Sequence, residues 1–117
     1  MSRHDNIVVE KSLSFAIRIV RLYQYLSQQK QEKIMSRQLL KSGTSIGANI
    51  AEAQQAQSRP DFVAKLSISL KETSETIYWL RLLEATDYLT KAEFDSIISD
   101  CVEIEIILTS SIKSLKN

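Results

Sequence analysis

Both glycines of this 117-residue chain stand four apart inside one stretch, Leu39 to Ala53, whose periodicity is helical. Each costs about 1 kcal/mol against alanine in a helix, so something must need the missing side chains. The only other strong breaker is Pro60. With so few breakers the elements must be few and long. Runs rich in Leu, Ile, Glu, Lys, Gln and Ser favour helices over short strands. The expected fold is all-α: an antiparallel up-down-up-down four-helix bundle, one domain over residues 1–117 with residues 1–6 frayed. Leu39, Gly43, Ile46, Ile50 and Ala53 form one stripe, and Leu40, Thr44, Gly47 and Ala51 a second. Small residues on two sides of a rod predict close neighbours on both.

The first helix is expected to start between Asn6 and Ser12 and run to about Gln28. It carries two apolar stripes: Leu13, Ala16, Ile17, Val20 and Tyr23, then Phe15, Ile19, Leu22 and Leu26. One face suffices for a surface helix of a monomer. The surplus predicts burial against a second subunit, and Phe15 and Ile19 are assigned to that interface. The second helix is expected from between Glu32 and Ser36 to about Gln57. Ser58-Arg59-Pro60-Asp61 is a helix start, with a capping serine, an early proline and an early acid. The third helix then runs to about Asp87 with a core stripe of Phe62, Leu66, Thr73, Ile77 and Leu80. A second stripe, Ile68, Glu72, Glu75, Trp79 and Leu82, lies nearly opposite and reads as the other half of the interface. Thr90-Lys91-Ala92-Glu93 is a capping box. The last helix follows to about Leu115, with Ile97, Cys101, Ile104, Leu108, Ile112 and Leu115 on one face.

Net charge is only +1, but residues 1–41 hold eight basic and three acidic side chains, and the rest seven and eleven. Such a dipolar chain suits head-to-tail self-association or polyanion contact at one end. Lys30, Lys33, Arg37 and Lys41 are the candidate nucleic-acid contacts. Arg18, Arg21, Arg37 and Lys41 are the candidate partners for Glu72 and Glu75 of a neighbour. The single cysteine, polar N-terminus and lack of about 20 unbroken apolar residues point to a cytoplasmic protein without membrane contact. The one histidine, His4, leaves no triad to assemble and no Glu-x-x-His pair, so no catalytic residue, cofactor or metal is expected. An enzyme would have to use Glu52, Glu72 and Glu75.

The run Gln38-Leu39-Leu40-Lys41-Ser42-Gly43-Thr44-Ser45-Ile46-Gly47-Ala48-Asn49-Ile50-Ala51-Glu52-Ala53 resembles the signature of the bacterial four helix bundle protein family. Members were first noticed as products of intervening sequences in 23S rRNA genes, and some carry the label S23 ribosomal protein. Asp61-Phe62, Lys65-Leu66-Ser67-Ile68, Glu75-Thr76-Ile77-Tyr78-Trp79-Leu80 and Asp87-Tyr88-Leu89 resemble it too. Where the family pattern usually has glycine after the signature glutamate, this chain has Ala53. The resemblance implies a ring-like homopentamer and maps the family motif onto Ser45, Asn49, Glu52 and Glu75. It also implies kinship with the accessory variability determinant of diversity-generating retroelements, a basic pentamer that binds a reverse transcriptase and nucleic acid. The expected function is that of a non-enzymatic, homo-oligomeric assembly or accessory module. The competing expectation is RNA or DNA binding through the basic patch, multiplied by the ring.

Overall fold

In the computed structural model, the described residues are 3–116, with side chains described over 7–116. They form four helices: α1 Arg3–Gln28, α2 Met35–Ala53, α3 Arg59–Ala85 and α4 Lys91–Lys116. The helix expected from Asn6 or later thus begins at Arg3; Met1 and Ser2 lie outside the described residues. The bundle measures 44 × 21 × 19 Å, matching helices of about 26 residues at 1.5 Å each.

Cross-helix pairs fix the topology. Gly43 faces Ile19 and Gly47 faces Ser12; Ser69 bonds Ile46 and Thr76 bonds Ser42; Lys11 meets Glu103 and Arg18 meets Asp100. In each set, numbers rise on one helix as they fall on the other, so sequential helices run antiparallel and α4 returns to α1. Each helix buries a seam at alternating three- and four-residue spacing: Val8, Ser12, Phe15, Ile19 and Leu26 on α1, and Ser36, Leu39, Gly43, Ile46, Ile50 and Ala53 on α2. On α3 it is Leu66, Ser69, Thr73, Thr76, Leu80 and Leu83, and on α4 Ile97, Cys101, Ile104, Leu108 and Ile112. This is the pattern of a gently supercoiled bundle.

The helix ends follow local chemistry. Ser58 Oγ accepts from Asp61 N at 3.2 Å. The capping box closes both ways, with Glu93 N to Thr90 Oγ1 at 3.1 Å and Thr90 N to Glu93 Oε1 at 2.8 Å. The second helix ends at Ala53, short of Gln57, because tightened bonds from Gln54, Gln55 and Ala56 back to Ala51, Glu52 and Ala53 close it off. The third stops at Ala85, since Asp87 turns to φ 68° and Tyr88 N reaches back to Leu83 O at 2.9 Å.

Candidate functional site

Ile19 and Phe15 are not interface residues. They are 0% and 1% exposed within the single chain, packed in its own core. The reason is α2: a Cβ on Gly43 would lie 2.8 Å from Ile19 Cγ1 and Cγ2, so the glycine forms the notch that seats Ile19. Both glycines serve this one approach, since Gly47 lies against Ser12. The expectation of small residues serving two sides is corrected accordingly. On the α3 side the close approach is made by hydroxyls instead. The signal for α1 was present in its spacing: Val8, Ser12, Phe15, Ile19, Leu22 and Leu26 form an unbroken seam, whereas Leu13, Ile17 and Val20 are flanked by Glu10 and Gln24.

The surplus apolar stripe of α1 is therefore the other one. Leu13 is 59% exposed and Ile17 53%, with Val20 beside them. Residues three and four apart share a helix face, so these three make one exposed patch, with Leu13 and Val20 toward α2 and Ile17 bordering the groove between α1 and α4. On the adjoining shoulder of α2 lie half-buried Leu40 and Thr44 and exposed Ala48 and Ala51. The two helices thus share a smooth, largely uncharged surface, bordered by exposed Arg37 and Lys41.

The α3 stripe, expected nearly opposite the core, lies instead on the flank toward α2, with Trp79 packed against the core. Ile68 and Glu75 are exposed; Glu72, Trp79 and Leu82 are half-buried. Trp79 Nε1 donates to Glu75 Oε1 at 3.4 Å, and Tyr78 packs edge-on against Trp79 with ring centres 5.1 Å apart. Among the described residues neither Glu72 nor Glu75 makes an ion pair, and Arg21, Arg37 and Lys41 make none either. Arg18 pairs with Asp100 at 2.7 Å and bonds Ser96 within its own chain.

Ser45 and Asn49 turn back onto their own helix. Ser45 Oγ donates to Lys41 O at 2.7 Å and Asn49 Nδ2 to Ser45 O at 2.9 Å. Glu52 meets Lys65 at 3.7 Å. Glu72 sits two turns further along α3, about 10 Å beyond Lys65, so Glu52, Glu72 and Glu75 do not converge. Among the described residues no three His, Cys, Asp or Glu side chains come together as a metal cluster. Cys101 is buried on the core seam, its thiol 3.9 Å from Thr73 O. Desolvation, helped by Glu105 and Asp100, raises its pKa from 9.0 to about 12.

Lys30, Lys33, Arg37 and Lys41 are all exposed, with Lys30 Nζ 5.9 Å from the Tyr25 ring centre. Lys33 precedes α2, so only Arg37 and Lys41 line a helix edge. Sequence reasoning missed Glu32 beside them. This buried carboxylate caps α2, accepting from Ile34 N, Met35 N and Ser36 N at 2.8 to 2.9 Å. An acid three residues before the first helical residue was the available sign.

Residues 4–110 match the model of the 23S rRNA-intervening sequence protein family. The chain belongs to that family. It is 56% identical to a protein of unknown function from the S23 ribosomal protein family of Bacteroides thetaiotaomicron. The crystal structure of that protein superposes with a TM-score of 0.93 over 94% of this chain and 98% of the other. No curated protein matches significantly. Within this intervening-sequence protein, the signature run is thus chiefly a packing device. Gly43 and Gly47 admit α1, Ser42 and Ile46 receive α3, and Ser45 and Asn49 bond to their own turn. None of the described helices is long and apolar enough to cross a membrane.

Proposed function

We propose that this intervening-sequence protein is a non-enzymatic, homo-oligomeric helical module that assembles head to tail, as a homopentameric ring by its family resemblance, to serve as an assembly or accessory scaffold in the cytoplasm. One observation carries the reading: apolar surface remains uncovered on two separate flanks of one chain, and their charges are opposite. The α1–α2 face offers Leu13, Ile17 and Val20 beside Arg37 and Lys41, which make no ion pair among the described residues. The α3 face offers Ile68, Trp79 and Leu82 with Glu72 and Glu75, which make no ion pair among the described residues. Complementary faces on different sides make a heterologous contact, which closes into a ring when the rotation permits.

Sedimentation tests it. The protein should run as a multiple of its 13.3 kDa chain, five by the resemblance. Leu13→Glu spoils one face and Trp79→Ala the other, so each variant alone should fall to monomer. Mixed, they should form a dimer and nothing heavier, because each supplies the face the other lacks. A monomeric parent protein, or no dimer in the mixture, would overturn the head-to-tail reading.

A second reading is favoured by the exposure of Lys30, Lys33, Arg37 and Lys41 at one end of the bundle, where a ring would repeat them. It makes the protein a nucleic-acid-binding accessory, with a reverse transcriptase as one conceivable protein partner. Retardation of single-stranded RNA or DNA at low salt, weakened by Lys30→Glu with Lys33→Glu, supports it. No retardation at low salt eliminates it.

A further inference from the structure

Adjoining the proposed assembly face at Ile17, a groove of about 590 Å³ opens between α1 and α4, beside the turn that leads into α4. Its volume lies within the range of small-molecule sites, about 300–1,000 Å³. The floor is apolar: Leu22 and Tyr25 from α1, Leu89 from the turn and Ile97 from α4. The polar groups around it differ in what they already bond. Glu93 is held by the backbone N–H of Thr90, and Arg18 by Asp100 and Ser96. Arg21 is exposed and meets only the neutral Gln24 oxygen, at 3.3 Å. The groove therefore joins a greasy trough to one cation with no carboxylate partner among the described residues.

The geometry points to a site for a medium-chain carboxylate, its chain on Leu22, Leu89 and Ile97 and its head on the Arg21 guanidinium. A guanidinium receives a carboxylate through two parallel N–H bonds, so an acid fits this rim better than an alcohol of the same length. An apolar body with a single anionic end matches the chemistry of the lining. Leu13 and Val20 do not line the groove, and Ile17 borders both it and the proposed assembly face.

Calorimetry with free decanoate, below its micelle concentration, tests this on the full chain. Decanoate should bind, decanol should bind at least tenfold more weakly, and acetate should not bind. Arg21→Glu should weaken decanoate at least tenfold and leave decanol little changed. Ala92 is exposed and lines the groove, so Ala92→Trp should fill it and remove both ligands while circular dichroism and melting stay as in the parent protein. Leu13→Glu, which spoils the proposed assembly face, should bind decanoate as the parent does. Absence of decanoate binding, equal binding of acid and alcohol, or full binding by the Ala92→Trp variant would overturn the assignment. Loss with Leu13→Glu alone would move the ligand to the assembly face and overturn it too.

Discussion

The seams on either side of α2 and the seam between α1 and α4 close the same bundle by opposite means. Around α2 the closest contacts are dry, and the partly exposed Lys65–Glu52 pair lies outside them. Ser69 Oγ donates to Ile46 O at 2.8 Å and Thr76 Oγ1 to Ser42 Oγ at 3.0 Å, all of them buried. Toward α1, a missing side chain does the same work at Gly43. Between α1 and α4 the ties are Lys11–Glu103 at 2.8 Å and Arg18–Asp100 at 2.7 Å, with side chains 39% to 53% exposed. Buried and satisfied hydrogen bonds hold register, because any shift leaves polar groups unpaired in a low dielectric. Exposed pairs tolerate a shift, since water replaces either partner at little cost. The contrast separates a rigid wall from a flank with room beside it, and the groove lies on that flank.

The largest way to break the contrast is to put a side chain where α1 meets α2. Gly43→Ala gains about 1 kcal/mol of helix propensity. It also drives a methyl to 2.8 Å from two β-branch carbons of Ile19, atoms too near the backbone to swing away. We expect overpacking to win, with a net loss of about 1–3 kcal/mol in urea unfolding. Gly47→Ala meets the Ser12 carbonyl at a milder 3.3 Å and should cost less. A stabilised Gly43→Ala variant would show that the seam is not tight.

The sequence made the four helices, their order and the two caps at Ser58 and Thr90 legible, because breakers and capping residues act locally. It made a second α3 stripe with Trp79 visible but set it opposite the core, where the structure half-buries Trp79 against the core instead. It misled on α1, where two apolar stripes compete for the inward face. Counting Ser12 as part of a seam would have settled that choice in favour of Phe15 and Ile19. The same bias against polar seam residues hid Ser69 and Thr76, which are fully buried on α3. The groove was not legible at all. It arises from the separation of two helices distant in sequence, and no local pattern encodes that distance.

A second, smaller effect sharpens the contrast by measuring how dry the interior is at Cys101. Its thiol pKa is raised to about 12, chiefly by burial. Above pH 9 the unfolded chain loses this proton while the folded chain keeps it. The folded state then binds more protons, so stability falls as pH rises from about 9 toward 12, by at most about 1.4 kcal/mol per pH unit from this group. The readout is a difference, so that all other groups cancel: Cys101→Val should show a shallower decline than the parent. Equal slopes would mean that water reaches the thiol.

The smallest effect belongs to the α1–α4 seam. Lys11→Ala and Glu103→Ala, singly and together, form a cycle whose coupling should be below about 1 kcal/mol in physiological salt. It should shrink further at 1 M salt, where the screening length is about 3 Å. The hydroxyl pair across α2 and α3, probed with Ser42→Ala and Thr76→Val, should keep its coupling over the same salt range, because no net charge is involved. One cycle that fades with salt and one that does not would confirm that the bundle is closed by different physics on its two sides. If the Lys11–Glu103 coupling proved large and insensitive to salt, the α1–α4 flank would be as locked as the rest. A groove beside a locked seam has no slack with which to fit its walls around a ligand chain, so this least energetic measurement bears most directly on the groove.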